Sequence, residues 1–121
     1  MSANFDFVNN SAYRAACEQG ATFARQIQLK NDDGSPLNLT GYTASFTIRV
    51  SYTDGRTIAA LTVGNGLTIT PLTGLIDLYI SATDTAGVEN RTYRYELDII
   101  HGVYVTRVLE GQFVVTPEVI P

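Results

Sequence analysis

Tryptophan is absent from this 121-residue chain, and cysteine, methionine and histidine occur once each. Each scarcity excludes something. A carbohydrate-binding module needs exposed coplanar aromatics, and no tryptophan is there to supply them. One cysteine, Cys17, rules out an intramolecular disulfide and fits assembly in a reducing cytosol; its expected place is the core, as a small apolar thiol. One histidine and one cysteine far apart cannot supply the three or four ligands of a zinc site. Positive charge is also scarce: net charge is −4, and Lys30 and the arginines 14, 25, 49, 56, 91, 94 and 107 form no run. A nucleic-acid partner would need a basic face to neutralise phosphates, so none is expected. No stretch approaches the about 20 apolar residues that cross a bilayer, so no membrane partner is expected. The N-terminus, with Asp6 early and no basic segment, does not read as a signal peptide.

A search for chemistry returns little. His101 sits in an expected hairpin loop with no serine or cysteine near it in a nucleophile and base arrangement. Asp32-Asp33-Gly34 lacks the ligand spacing of a calcium loop. Glu96 and Asp98 alternate with apolar residues as any solvated strand face does. Gly64-Asn65-Gly66 reads as a hairpin and not as a dinucleotide fingerprint. The glycosylation triplets at Asn9, Asn38 and Asn90 carry no weight without a secretory signal. The expectation is a non-enzymatic protein with no cofactor and no metal.

What is present is strand grammar. The chain is 45% hydrophobic, enough for one core. Glycine and turn dipeptides separate runs rich in Thr, Val, Ile, Tyr and Phe that alternate apolar with polar. Tyr42, Ala44, Phe46, Ile48 and Val50 fall on one face, with Thr43, Ser45, Thr47 and Arg49 on the other. The same test aligns Phe23, Ile27 and Leu29; Ile76, Leu78 and Ile80; and Tyr93, Tyr95, Leu97 and Ile99. Val103, Val105 and Leu109 follow, then Phe113 and Val115. Shorter candidates are Phe5–Val8, Ile58–Thr62 and Leu67–Thr70, which brings the total to about eight or nine strands. Asp54-Gly55, Asn65-Gly66 and His101-Gly102 suit tight antiparallel hairpins, and Asp33-Gly34-Ser35-Pro36 suits a longer turn. Helix is expected only as a turn at Ser11–Cys17 and a short piece at Thr83–Val88, capped by Ser81 or Thr83. Neither is long enough for a βαβ crossover, which leaves an antiparallel two-sheet sandwich or a small closed barrel. Phe46, Ile48, Leu78, Tyr95, Leu97 and Phe113 are the expected deep core.

A chain without an active site acts through its surface. Of the seven tyrosines, Tyr93 and Tyr95 take core positions, whereas Tyr52, Tyr79 and Tyr104 fall on outer faces or loops. Exposed aromatics are enriched at protein contacts, which makes these three interface candidates. Phe5 and Phe7, on one face of the segment 1–18, are candidates too, and that segment reads either as a docking arm or as an ordinary first strand. Val119 and Ile120, between Pro117 and Pro121, complete the set. Residues 19–121 form the expected sandwich domain.

Several phrases can be matched to a family. Gln19-Gly20-Ala21-Thr22-Phe23, the run from Asp33-Gly34-Ser35-Pro36-Leu37-Asn38-Leu39-Thr40 to Gly41-Tyr42-Thr43-Ala44, and Ile48-Arg49 form one block. Tyr93-Arg94-Tyr95-Glu96-Leu97, Leu109-Glu110-Gly111 and Val115-Thr116-Pro117-Glu118-Val119 form another. From Gln19 onward the chain resembles small structural proteins of tailed-phage tails and baseplates, similar to the N-terminal domain of baseplate upper proteins. The resemblance implies an immunoglobulin-like β-sandwich of about eight or nine strands, no enzymatic activity, and a place in the virion after assembly in the host cytoplasm. The implied partners are other virion proteins (tail, baseplate, fibre or capsid subunits), including further copies of the chain. Family members can carry a long receptor-binding extension that this sequence lacks, so a tail, baseplate or fibre-anchoring adaptor is expected ahead of a capsid decoration protein or a receptor-binding module.

Overall fold

The structure, a computed structural model, describes the backbone at residues 4–5 and 15–16 and the whole of residues 17–51, 53 and 55–117. The described residues form nine strands: β1 (Asn4–Phe5), β2 (Ala15–Glu18), β3 (Phe23–Lys30), β4 (Thr43–Arg49), β5 (Thr57–Val63), β6 (Gly66–Thr70), β7 (Leu75–Ile80), β8 (Thr92–His101) and β9 (Tyr104–Thr116). Their order is β1-β3-β7-β6 and then β5-β4-β8-β9-β2. Among the described residues, the two groups are joined by a two-residue bridge, Thr62 to Gly66 and Val63 to Leu67, where the chain folds over from one sheet to the other. Strand alternation explains the result. Inward side chains of both sheets meet in one core, and Phe23 on β3 packs edge-on against Phe113 on β9, with ring centroids 5.1 Å apart. Phe46 on β4 joins them, 5.5 Å from Tyr95 and 6.4 Å from Phe113. All six residues expected in the deep core are buried.

The architecture is an immunoglobulin-like β-sandwich, and one detail of its corner is characteristic. Tyr93, at the start of β8, buries its ring and donates its hydroxyl to the carbonyl of Glu89 at 2.7 Å, four residues upstream. This is the tyrosine corner of such sandwiches. The preceding link is the helix α1 (Ala82–Ala86), whose first turn is capped by Ser81, its Oγ accepting from the Asp84 amide. Thr85 is buried and donates to the Ala21 carbonyl at 2.8 Å, while Gln19 donates to the Val88 carbonyl at 2.6 Å, so α1 is fastened to the turn between β2 and β3.

Three expectations change. The turn expected at Ser11–Cys17 is strand over Ala15–Cys17: β2 pairs parallel with β9, Cys17 opposite Val115, and residues 11–14 lie outside the described residues. This parallel pair needs no local crossover because the rest of the domain connects its two strands. Asn65-Gly66 is not an antiparallel hairpin but the fold-over between sheets. Gly66 has φ +96°, and a Cβ there would stand 2.6 Å from the Leu61 side chain, so the tight arch depends on glycine. Asp54 of the Asp54-Gly55 turn lies outside the described residues. The third change is on β9, where Leu97 opposes Leu109 but Asp98 opposes Arg107. Val108 is therefore an extra residue, a bulge that turns both Val108 and Leu109 inward and ends the shared face of Val103, Val105 and Leu109.

Candidate docking surface

The bulge sets what the larger sheet shows to solvent. Beyond it, β8 and β9 run on to a hairpin tip at His101–Tyr104, where Gly102 has φ +62°. His101 stacks on Tyr42, ring centroids 4.9 Å apart, which holds the base of the tip against the sandwich. Among the described residues nothing covers those that follow: Val103 is 90% exposed, Tyr104 75% and Val105 62%. Three consecutive apolar or aromatic residues this open make the tip a candidate docking surface.

Below the tip, the outer face of the same sheet carries a ladder of charge. On β8 and β9, Arg107 donates from Nη2 to Glu96 at 3.1 Å and from Nε to Asp98 at 3.2 Å, and its Nη1 lies 3.9 Å from Glu110. Arg49 on β4 reaches the other oxygen of Glu96 at 3.3 Å. These carboxylates, Glu96 foremost, raise the Arg107 pKa further above its ordinary value. The pairs are half open to solvent, so each adds little stability and together they fix the side chains in place. Alternation had marked Glu96 and Asp98 only as a solvated face; their partners on β4 and β9 come from pairing across the sheet.

The third feature is an edge. β2 covers β9 only from Phe113 to Thr116, so among the described residues Val105–Gln112 has β8 on one side and no strand on the other. At the opposite end of the sandwich lies an open cleft of about 650 Å³, lined by Cys17, Ile48, Leu61, Ile80, Val88 and Phe113 among others. Burial pushes the Cys17 thiol up, the wrong direction for a nucleophile.

Of the expected interface residues, the two whose side chains are described lie on different sheets. Tyr104 is at the hairpin tip, and Tyr79 is 53% exposed on β7 of the other sheet. Phe5 belongs to β1, opposite Leu29 of β3. Phe7, Tyr52, Val119 and Ile120 lie outside the described residues. The bulge turns Val105 to the outer face, opposite Ile100, which no pattern of single residues announces. Among the described residues, no three His, Cys, Asp or Glu side chains gather as a metal site. In the Asp32-Asp33 loop, Asp33 accepts hydrogen bonds from the Ser35 hydroxyl and amide, which hold its carboxyl below the usual range.

No protein-family model matches the chain, and no curated protein matches it. Solved structures do. The Lin-41 filamin domain is 18% identical, covering 93% of this chain and 91% of its own with a TM-score of 0.44. The N-terminal Ig1-2 module of the Drosophila receptor protein tyrosine phosphatase DLAR is 14% identical, covering 98% of this chain and 50% of its own with a TM-score of 0.47. CopC from Methylosinus trichosporium OB3b is 10% identical and covers 99% of both chains with a TM-score of 0.53, a likeness of fold.

Proposed function

We propose that this chain is a non-enzymatic structural subunit of a tailed-phage particle, a tail, baseplate or fibre-anchoring adaptor present in several copies. Its work is docking, and the observation that carries the reading is the uncovered Val103-Tyr104-Val105 tip on a hairpin whose base is held in the core. Two further features support it. The ordered phrases from Gln19 to Val119 resemble tail and baseplate proteins. The titratable groups best suited to catalysis are engaged otherwise, His101 against Tyr42 and Cys17 in the core.

The test uses particles made from the genome that encodes the chain. Mass spectrometry of purified virions is expected to find the chain, and the double variant Val103→Asp, Tyr104→Ser is expected to fold normally yet be lost from the particles. Absence of the wild-type chain from virions, or undiminished incorporation of the variant, would refute the proposal.

A further inference from the structure

Three connections meet at the end of the sandwich that carries the hairpin tip: 31–42 between β3 and β4, 71–74 between β6 and β7, and the turn at 102–103 between β8 and β9. They are fastened to one another. Leu39 donates its amide to the Pro71 carbonyl at 2.9 Å, which ties the first to the second, and the Tyr42 ring on His101 ties the first to the third. Gly74 lies so close that a Cβ there would stand 2.9 Å from the Leu37 carbonyl oxygen. Asn38 accepts from the Thr40 amide at 3.0 Å and stiffens the turn between them. Loops held this way lose little freedom on binding.

This end is also without charge. From Ser35 to Thr43, from Leu67 to Ile76 and from Ile99 to Thr106 there is no aspartate, glutamate, lysine or arginine, although 17% of the chain is charged. Asp32 and Asp33 stand apart in the tight turn closed by Asn31 and Ser35. Four of the six exposed large apolar side chains among the described residues lie here, Leu72 at 74% with Val103, Tyr104 and Val105 of the tip. Leu72 is on the connection between β6 and β7, on the far side of β3 from β1, so its exposure does not depend on what borders an edge strand. Elsewhere the described surface bears carboxylates: Glu96, Asp98 and Glu110 on the outer face of the larger sheet, Asp77 on the smaller, and Glu18, Asp84 and Glu89 towards the opposite end.

Two copies of a chain with net charge −4 repel each other. Contact through a carboxylate-bearing face adds to that repulsion, whereas contact through this end adds none. Apolar and aromatic side chains in a surface depleted of charge are also the composition of an interface centre. A lipid surface fits less well, because this end has no lysine or arginine to draw it to an anionic leaflet.

We infer that this end is a self-association surface, on which two copies meet end to end about a two-fold axis with Leu72 and the hairpin tips buried between them. The inference rests on the docking reading of the tip and names its partner as a second copy.

Loop ends cover a modest area, so the purified chain is expected to dimerise with a dissociation constant of roughly 1–100 µM, read by sedimentation equilibrium. Raising salt from about 0.01 M to about 1 M shortens the screening length from about 30 Å to about 3 Å. That should strengthen an uncharged contact between copies that repel. Leu72→Ser and Tyr104→Ser should each weaken association at least about tenfold and leave the melting temperature of the dilute chain unchanged. A monomer at several times that concentration range, association that weakens with salt, or undiminished association of either variant would overturn the inference. So would a lowered melting temperature, which would mean that these side chains pack on their own chain, or binding to phosphatidylcholine–phosphatidylserine vesicles without dimerisation. A monomeric chain that still needs its tip to enter particles sinks this inference alone, and a dimer absent from virions sinks the virion proposal alone.

Discussion

Tyr93 joins three parts of the molecule through one side chain. Its ring lies in the core, its hydroxyl fastens the Glu89 carbonyl, and the Arg91 guanidinium sits 5.5 Å from the ring centroid. Tyr93→Phe keeps the ring and removes the hydroxyl, so a loss of about 1 kcal/mol in denaturant unfolding is expected. The same group gives a pH dependence. Burial raises the phenol above its ordinary value of 10.0, so folding favours the neutral form. Its stabilisation is whole below that value and is lost as pH rises from there through the higher folded-state value. Cys17, raised by burial from 9.0, adds an earlier step of the same sign. Thermal melts from neutral to strongly alkaline pH should show the later part of the decline flattened in Tyr93→Phe and the earlier part in Cys17→Ala. Gly74 is a second sensitive position. Its φ is +65°, and a Cβ would stand 2.5 Å from the Leu29 carbonyl oxygen, so Gly74→Ala should cost more than about 1 kcal/mol.

At the scale of elements, β9 shows both the reach of pattern reading and its limit. Phe113 and Val115 fall inward as alternation requires, and the His101-Gly102 turn forms where its positive φ suits glycine. The extra residue at Val108 cannot be read from β9 alone, because a bulge is defined by the partner strand. The ionic ladder was illegible for a related reason: Arg49 and Glu96 lie 47 residues apart in the chain and meet only through the pairing of β4 with β8. The helix α1 was easier, since Ser81 and the following residues carry their own capping signal. These distinctions separate tip from core in energy. Substitution of Val103 or Tyr104 by a polar residue should change stability by no more than about 0.5 kcal/mol, whereas Leu97→Ala, in the buried middle of β8, should cost about 2–5 kcal/mol. Chemical denaturation of the three variants side by side checks the contrast.

For the whole molecule, the period of two fixed most inward positions, and facing inward positions dictated a sandwich. Where the chain changes sheets was not legible, because Gly64-Asn65-Gly66 has the same local chemistry in a hairpin as in the arch it forms. Surface function is harder still to read than fold: Tyr104 is legible as an exposed aromatic, while the outward turn of Val105 follows only from the bulge. The proposal rests on that surface being covered in the working assembly. Electron cryomicroscopy of the intact phage particle tests it most directly. The sandwich should be found in symmetric copies, with Val103, Tyr104 and Val105 buried against a neighbouring subunit in an interface above ~800 Å², the upper scale of adventitious contacts. A particle in which the chain has no place, or in which the hairpin tip faces open solvent, would contradict it.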